Sequence, residues 1–336
     1  MAIICASLGT IIWRSGNALE EIVAGHVTTF LASICLCLFA TASVIILQLL
    51  GKFRDRDRWL YPTFGYLVAL ATISSGIFLF THSPLPPYFV AGHVIVGLGL
   101  ICCCISTVAL ASTQFINIPQ NSRRSPNARP LANLPFSKPA EYILLSIPIL
   151  AAVTCWTWAL ILLATQTLPP HFIAGHVMAG LAAICTSLIA LTWSVIRQTQ
   201  NKHGNRERIV WPSIVISMGL FCIFWGIGVI LYHPASPIWY PPGLVLIGLG
   251  LVCFSILSKV ALLSLVWRRE FPLANRIPMI PVVTALACLF FSVFLFQFST
   301  QDTFSYIPAR VIAGLGAICY SLFSIVSILE SGTAKK

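Results

Sequence analysis

Nine apolar stretches of about 20 or more residues, and a shorter tenth at the start, leave this chain few ways to fold, since about 20 apolar residues make one helical crossing of a hydrocarbon layer. They run near residues 2–13, 22–50, 60–80, 89–115, 141–165, 172–196, 210–232, 243–267, 277–298 and 310–329. The first reaches only about 20 Å at 1.5 Å per residue, so either the start of the chain cuts it short or it does not span fully. It lacks the basic segment and cleavage site of a signal peptide and is expected to stay on the protein. With 58% hydrophobic and 9% charged residues and a mean hydropathy of +0.91, the chain lies far from soluble domains. The expected fold is an all-α membrane protein of about ten transmembrane helices in one polytopic domain.

A net charge of +11 raises the question of nucleic acid, and the placement of the charges answers it. Lys52, Arg54, Arg56 and Arg58 follow the second stretch, and Arg123, Arg124, Arg129 and Lys138 follow the fourth. Arg197, Lys202, Arg206 and Arg208 follow the sixth, Arg268, Arg269 and Arg276 the eighth, and Lys335 and Lys336 end the chain. These are 17 of the 20 Lys and Arg residues, and ten crossings put them all on one side. The positive-inside rule makes that side cytoplasmic, with both termini on it. The partner is then the lipid bilayer and not nucleic acid. Twelve cysteines all fall within apolar stretches, without a CxxC pair or zinc-type spacing, and read as small hydrophobes.

Self-comparison divides the chain into five copies of one hairpin. Ala24-Gly25-His26-Val27, Ala91-Gly92-His93-Val94 and Ala174-Gly175-His176-Val177 open the second, fourth and sixth stretches. Pro242-Gly243-Leu244-Val245 and Pro308-Ala309-Arg310-Val311 hold the same place in the eighth and tenth. Nine residues after each motif residue stands a cysteine: Cys35, Cys102, Cys185, Cys253 and Cys319. The copies cover approximately 1–50, 60–115, 141–197, 210–267 and 277–330. Two crossings per copy give all copies one orientation, and repeats of that kind are related by rotation about the membrane normal. Five parallel two-helix repeats around a quasi-fivefold axis are the simplest closed arrangement. Proline is expected in or near the first turn of the odd helices, at Pro62, Pro139, Pro212 and Pro278, and just before the even ones, at Pro87, Pro170, Pro242 and Pro308.

At about 100° per residue, positions 4, 11 and 14 after the motif residue share its helix face, and position 9 lies opposite. Position 4 is Gly97, Gly180, Gly248 and Gly314, with Phe30 in the first copy. Position 11 is Cys37, Cys104, Ser187, Ser255 and Ser321. This small, mildly polar stripe either lets neighbouring helices approach closely or lines a narrow conduit on the axis. The conduit reading implies an ion or small solute as the passenger.

His26, His93 and His176, with Arg310 in the fifth copy, form a candidate outer ring that titrates between pH 5 and 8. The alternative makes them helix-end residues bonded to nearby carbonyls. Asp302, Glu20 and Glu21 are placed near Arg310, which a structural ion pair would then explain. Lys259, fifteen residues past Leu244 and about 22 Å along its helix, is a cation inside a span. It marks a pathway or buried partner, or it snorkels to the near interface. No phosphate loop, dinucleotide fingerprint, metalloprotease motif or nucleophile triad is present, so neither enzyme activity nor a metal or cofactor is expected. Haem ligation ranks last, since each histidine is solitary on its helix.

LVWRREFPLANRIPMIPV from Leu265, IPARVIAGLGAICY, SLFSIVSILESGTAKK and the three AGHV motifs resemble the YhiM family of enterobacterial inner-membrane proteins. The similarity runs from about residue 20 to the end. It implies ten helices in the bacterial inner membrane and a link to survival of acid stress. It supplies no catalytic residues. The functional expectation is therefore a channel or transporter-like bundle gated by outward-facing histidines, or else a non-conducting stress-sensing or scaffold protein.

Overall fold

A computed structural model describes residues 1–15, 18–83, 85–113, 138–165, 169–199, 204, 206–232, 240–263, 277, 279–298 and 303–333. Among them lie ten α-helices and no strand: α1 (Ala2–Ser15), α2 (Leu19–Leu49), α3 (Asp57–His82), α4 (Pro86–Ser112), α5 (Lys138–Ala164), α6 (Pro169–Thr199), α7 (Glu207–Tyr232), α8 (Tyr240–Ala261), α9 (Met279–Phe298) and α10 (Thr303–Thr333). All except the 14-residue α1 are long and apolar enough to cross a membrane.

Local chemistry sets the helix ends. The Glu21 carboxylate accepts the Ala18 N–H at 3.2 Å, and Asp57 accepts the Arg54 N–H at 2.9 Å. Each satisfies a backbone donor that the helix itself leaves unpaired. Gly51, at φ 65°, follows the C-cap of α2, where only a residue without Cβ turns left-handed at no cost. The prolines sit deeper than expected. Pro86–Pro87 and Pro169–Pro170 open α4 and α6 instead of preceding them, which their missing amide hydrogens permit in a first turn. Pro62, Pro212 and Pro308 lie inside α3, α7 and α10, and Pro278 is outside the described residues.

Packing separates two layers. The most extensive contacts join each odd helix to the even helix after it, as α3 to α4 and α7 to α8. The even helices also touch one another in a closed order: α2 to α4, α4 to α6, α6 to α8, α8 to α10 and α10 back to α2. The most apolar part of α4 and of α6 is 83% buried, against 22% for α3. The even helices thus form the inside of the bundle, while the odd helices present Leu67, Leu160, Phe224 and Phe290 outward, as lipid-facing helices do.

Glycine sets the spacing within each pair. A Cβ on Gly76 would lie 2.8 Å from the Gly92 carbonyl oxygen, and one on Gly226 would lie 2.6 Å from that of Gly243. Gly25, the counterpart in the first motif, would meet the Trp13 backbone at 2.7 Å. At Gly25, Gly92 and Gly243 odd and even backbones press together, while Gly175 meets the Leu163 side chain; small residues serve this role between membrane helices.

Candidate functional site

Residues of all five even helices line one central cavity, and most of them are large and apolar. A cavity of about 30 Å³ is lined by residues 5, 8, 12 and 15 positions past the motif residues. Ile34, Ile101, Ile184, Val252 and Ile318 make one level; Leu38, Ile105, Leu188, Ile256 and Leu322 make the next. Leu98, Leu181, Leu249 and Leu315 lie above them, and Thr41, Val108, Leu191 and Lys259 below. The space is narrow, and its upper three levels, made only of Leu, Ile and Val, offer water no hydrogen-bond partner.

Outside this constriction, toward the motif ends of the helices, a vestibule of about 480 Å³ opens. It is lined by Val27, Val94, Val177, Val245 and Val311, one position past each motif residue, and by prolines that open the even helices. Among the described residues Glu20 is the one carboxylate on its wall.

The small residues of position 4 stand elsewhere. A Cβ on Gly97 would lie 2.5 Å from Leu181 Cδ1, one on Gly180 2.5 Å from Leu249 Cδ1, one on Gly248 3.0 Å from Leu315 Cδ1, and one on Gly314 2.5 Å from Leu31 Cδ1. Each glycine is the seat for the position-5 leucine of the next even helix. At position 11, Cys37 donates to the Gly65 carbonyl of α3 at 3.7 Å, and Ser255 bonds Thr284 of α9 at 2.5 Å. Ser187 and Ser321 donate to carbonyls one turn back in their own helices, at 2.9 Å each. Cys104 lies beside Cys185 of α6. None of these residues lines the cavity or the vestibule.

The motif histidines line neither the cavity nor the vestibule. Their Nδ1 atoms lie 2.8 Å from Ile22 O for His26, 2.7 Å from Phe89 O for His93 and 2.9 Å from Phe172 O for His176. A carbonyl oxygen only accepts, so Nδ1 carries the proton and Nε2 is the basic atom. Aromatic rings surround them: Trp13 is 4.7 Å from His26, Phe80 4.7 Å and Trp158 5.5 Å from His93, and Phe172 4.0 Å from His176. Arg310 repeats the pattern, donating to Tyr306 O at 3.1 Å with its Cζ 4.9 Å from the Phe296 ring centroid. The expectation of Asp302 near Arg310 falls outside the described residues. His176 also borders an outer groove between α6 and α7 with Trp225, Phe221 and Tyr232.

Lys259 does line the central cavity, and it is 4% exposed. Four of the five position-9 cysteines lie beside a free cysteine of the odd helix in their own hairpin, Cys35 beside Cys5, Cys185 beside Cys155, Cys253 beside Cys222 and Cys319 beside Cys288, while Cys102 lies beside Cys37 of α2. Among the described residues no group of three or more His, Cys, Asp or Glu is arranged to hold a metal ion.

Sequence reasoning missed the lining residues while their signal was in view. Valine at position 1 and leucine at position 5 recur in all five copies. They sit one residue, and so about 100°, from the stripe chosen by assuming that the motif residue faces the axis. Close packing resolves the choice, because seams between helices need the small side chains and the axial gap needs the large ones.

The Escherichia coli (strain K12) inner membrane protein YhiM is 44% identical over 337 aligned positions, covering 100% of this chain and 96% of that relative. The likeness read from residue 20 onward therefore extends through the N-terminal stretch. No solved structure matches the chain. The nine apolar helices and this relative support a multi-pass protein of the inner membrane. A family model described as "Protein of unknown function (DUF2776)" matches residues 1–334, and the chain belongs to that family.

Proposed function

We propose that this chain is a non-enzymatic channel or transporter-like protein whose five like-oriented hairpins surround a quasi-fivefold axis, with both termini cytoplasmic. The observation that carries the reading is the apolar constriction contributed by all five even helices, joining a wide vestibule at one end to Lys259 at the other. The closed order of even-helix contacts supports the same arrangement. At about 30 Å³ the constriction is a shut state, of the kind that gates by excluding water.

Acid on the vestibule side supplies the opening signal in this reading. His26, His93 and His176 occupy cages equivalent to the one that holds the permanent cation of Arg310. Aromatic faces attract a cation, so a proton added at Nε2 is accommodated there. It changes how each even helix presses on the helices beside it, and that motion reaches the axis through the leucines seated on the next helix. The acid-stress link implied by the family resemblance fits this direction of control.

Ion and small-solute flux through proteoliposomes at outer pH 5 and pH 7 tests the proposal. Flux is expected to rise at pH 5, and replacing all three histidines by Gln is expected to remove the pH dependence. Absence of flux at either pH removes the conduit. The narrowness of the constriction would then favour a non-conducting membrane scaffold or stress sensor. A haem-carrying electron-transfer protein is a third possibility that a colourless purified protein would eliminate.

A further inference from the structure

Among the described residues Lys259 is the one ionisable side chain on the wall of the central cavity, and none of them supplies a charge to neutralise it there. Thr41, Val108 and Leu191 are its neighbours at the same level, and the levels above hold only Leu, Ile and Val. No ion pair or hydrogen bond reaches it among the described residues. Acids near other loops are engaged elsewhere: Asp57 with the Arg54 amide and Arg56, and Glu207 with Arg197 at 3.3 Å. Snorkelling leaves a lysine head in water, whereas Lys259 is 4% exposed. Burial disfavours an ammonium without a counter-charge, and a bound anion would supply that charge.

We propose that Lys259 forms an anion-binding site at the inner end of the axial passage, taking a small, monovalent, weakly hydrated anion such as iodide, thiocyanate or nitrate. The size follows from the narrowness of the cavity, which leaves no room for a hydration shell. The preference for weak hydration follows from the walls, since apolar side chains return nothing for the water that a strongly hydrated ion must shed. Sulfate and phosphate are excluded on both grounds. The selectivity part rests on the axis being a passage, as read above; the binding part does not.

Radiolabelled iodide binding to the detergent-purified full chain tests the site, with flux in liposomes measured beside it. Saturable binding is expected, displaced by thiocyanate and nitrate but not by sulfate. Lys259→Met, which fills the position with an uncharged chain of similar length, is expected to weaken binding at least about tenfold, and Lys259→Arg to keep it. Glu20→Gln, which removes the carboxylate from the vestibule wall, is expected to speed iodide entry. The competition series in the unaltered protein stands even if a variant fails to fold. Absent iodide binding, sulfate that competes as well as thiocyanate, or binding unchanged by Lys259→Met overturns the site. Iodide binding lost in Lys259→Met without any flux keeps the site and removes the passage; cation flux without iodide binding keeps the passage and overturns the site.

Discussion

Leu31 meets Gly314, Leu181 meets Gly97, Leu249 meets Gly180 and Leu315 meets Gly248, one leucine-on-glycine contact at each of four seams between even helices. The contacts run head to tail, so α6, α8 and α10 each give a leucine and receive one, while α2 only gives and α4 only receives. Gly314→Ala is expected to destabilise the protein by about 1–3 kcal/mol in thermal melts, the usual effect of overpacking. Trimming Leu31 to Ala in the same protein should recover part of that loss, because it vacates the space the new methyl needs. Gly228, with nothing within 4 Å of its would-be Cβ, is the control. Gly228→Ala should be neutral or stabilising by up to about 1 kcal/mol through helix propensity alone. The glycines were legible in the sequence as a small-residue stripe. Which neighbour they faced was not, because a periodicity gives directions relative to one another and not to an axis.

At the scale of the helix, the hairpins were readable because hydrophobic length, loop proline and motif spacing all agree on them. The lateral fastenings were not, since they join residues far apart in sequence. Gln48 near the end of α2 donates through Nε2 to the Ser112 carbonyl at 2.9 Å, one of the last carbonyls of α4 that its own helix leaves unsatisfied. Tyr66 of α3 and Thr107 of α4 share a 2.8 Å hydrogen bond within one hairpin. Gln48→Leu should cost about 1 kcal/mol in thermal melts, the ordinary value of one such bond. Its effect should fall on the α2–α4 seam, so a Tyr66→Phe change in the adjoining hairpin should add to it independently.

For the molecule as a whole, the division into inner and outer helices follows from one fact of composition: even helices carry glycine, alanine, serine and cysteine on several faces, while odd helices carry leucine and phenylalanine outward. Lys259 could be picked out from sequence as an intramembrane cation. Its place on the cavity wall goes with the same fifteen-residue offset that puts Thr41, Val108 and Leu191 on that wall. Leu188 lies on the wall of the constriction, whereas Leu160, 62% exposed, faces outward. Adding a hydroxyl to the wall gives water a partner inside an otherwise dry gap, so Leu188→Ser is expected to raise iodide flux at pH 7 by about tenfold or more in proteoliposomes, through loss of the dewetted barrier. Leu160→Ser should leave flux at the level of the unaltered protein. If Leu188→Ser inserts and folds yet leaks no more than Leu160→Ser, the central constriction is packing and not a gate.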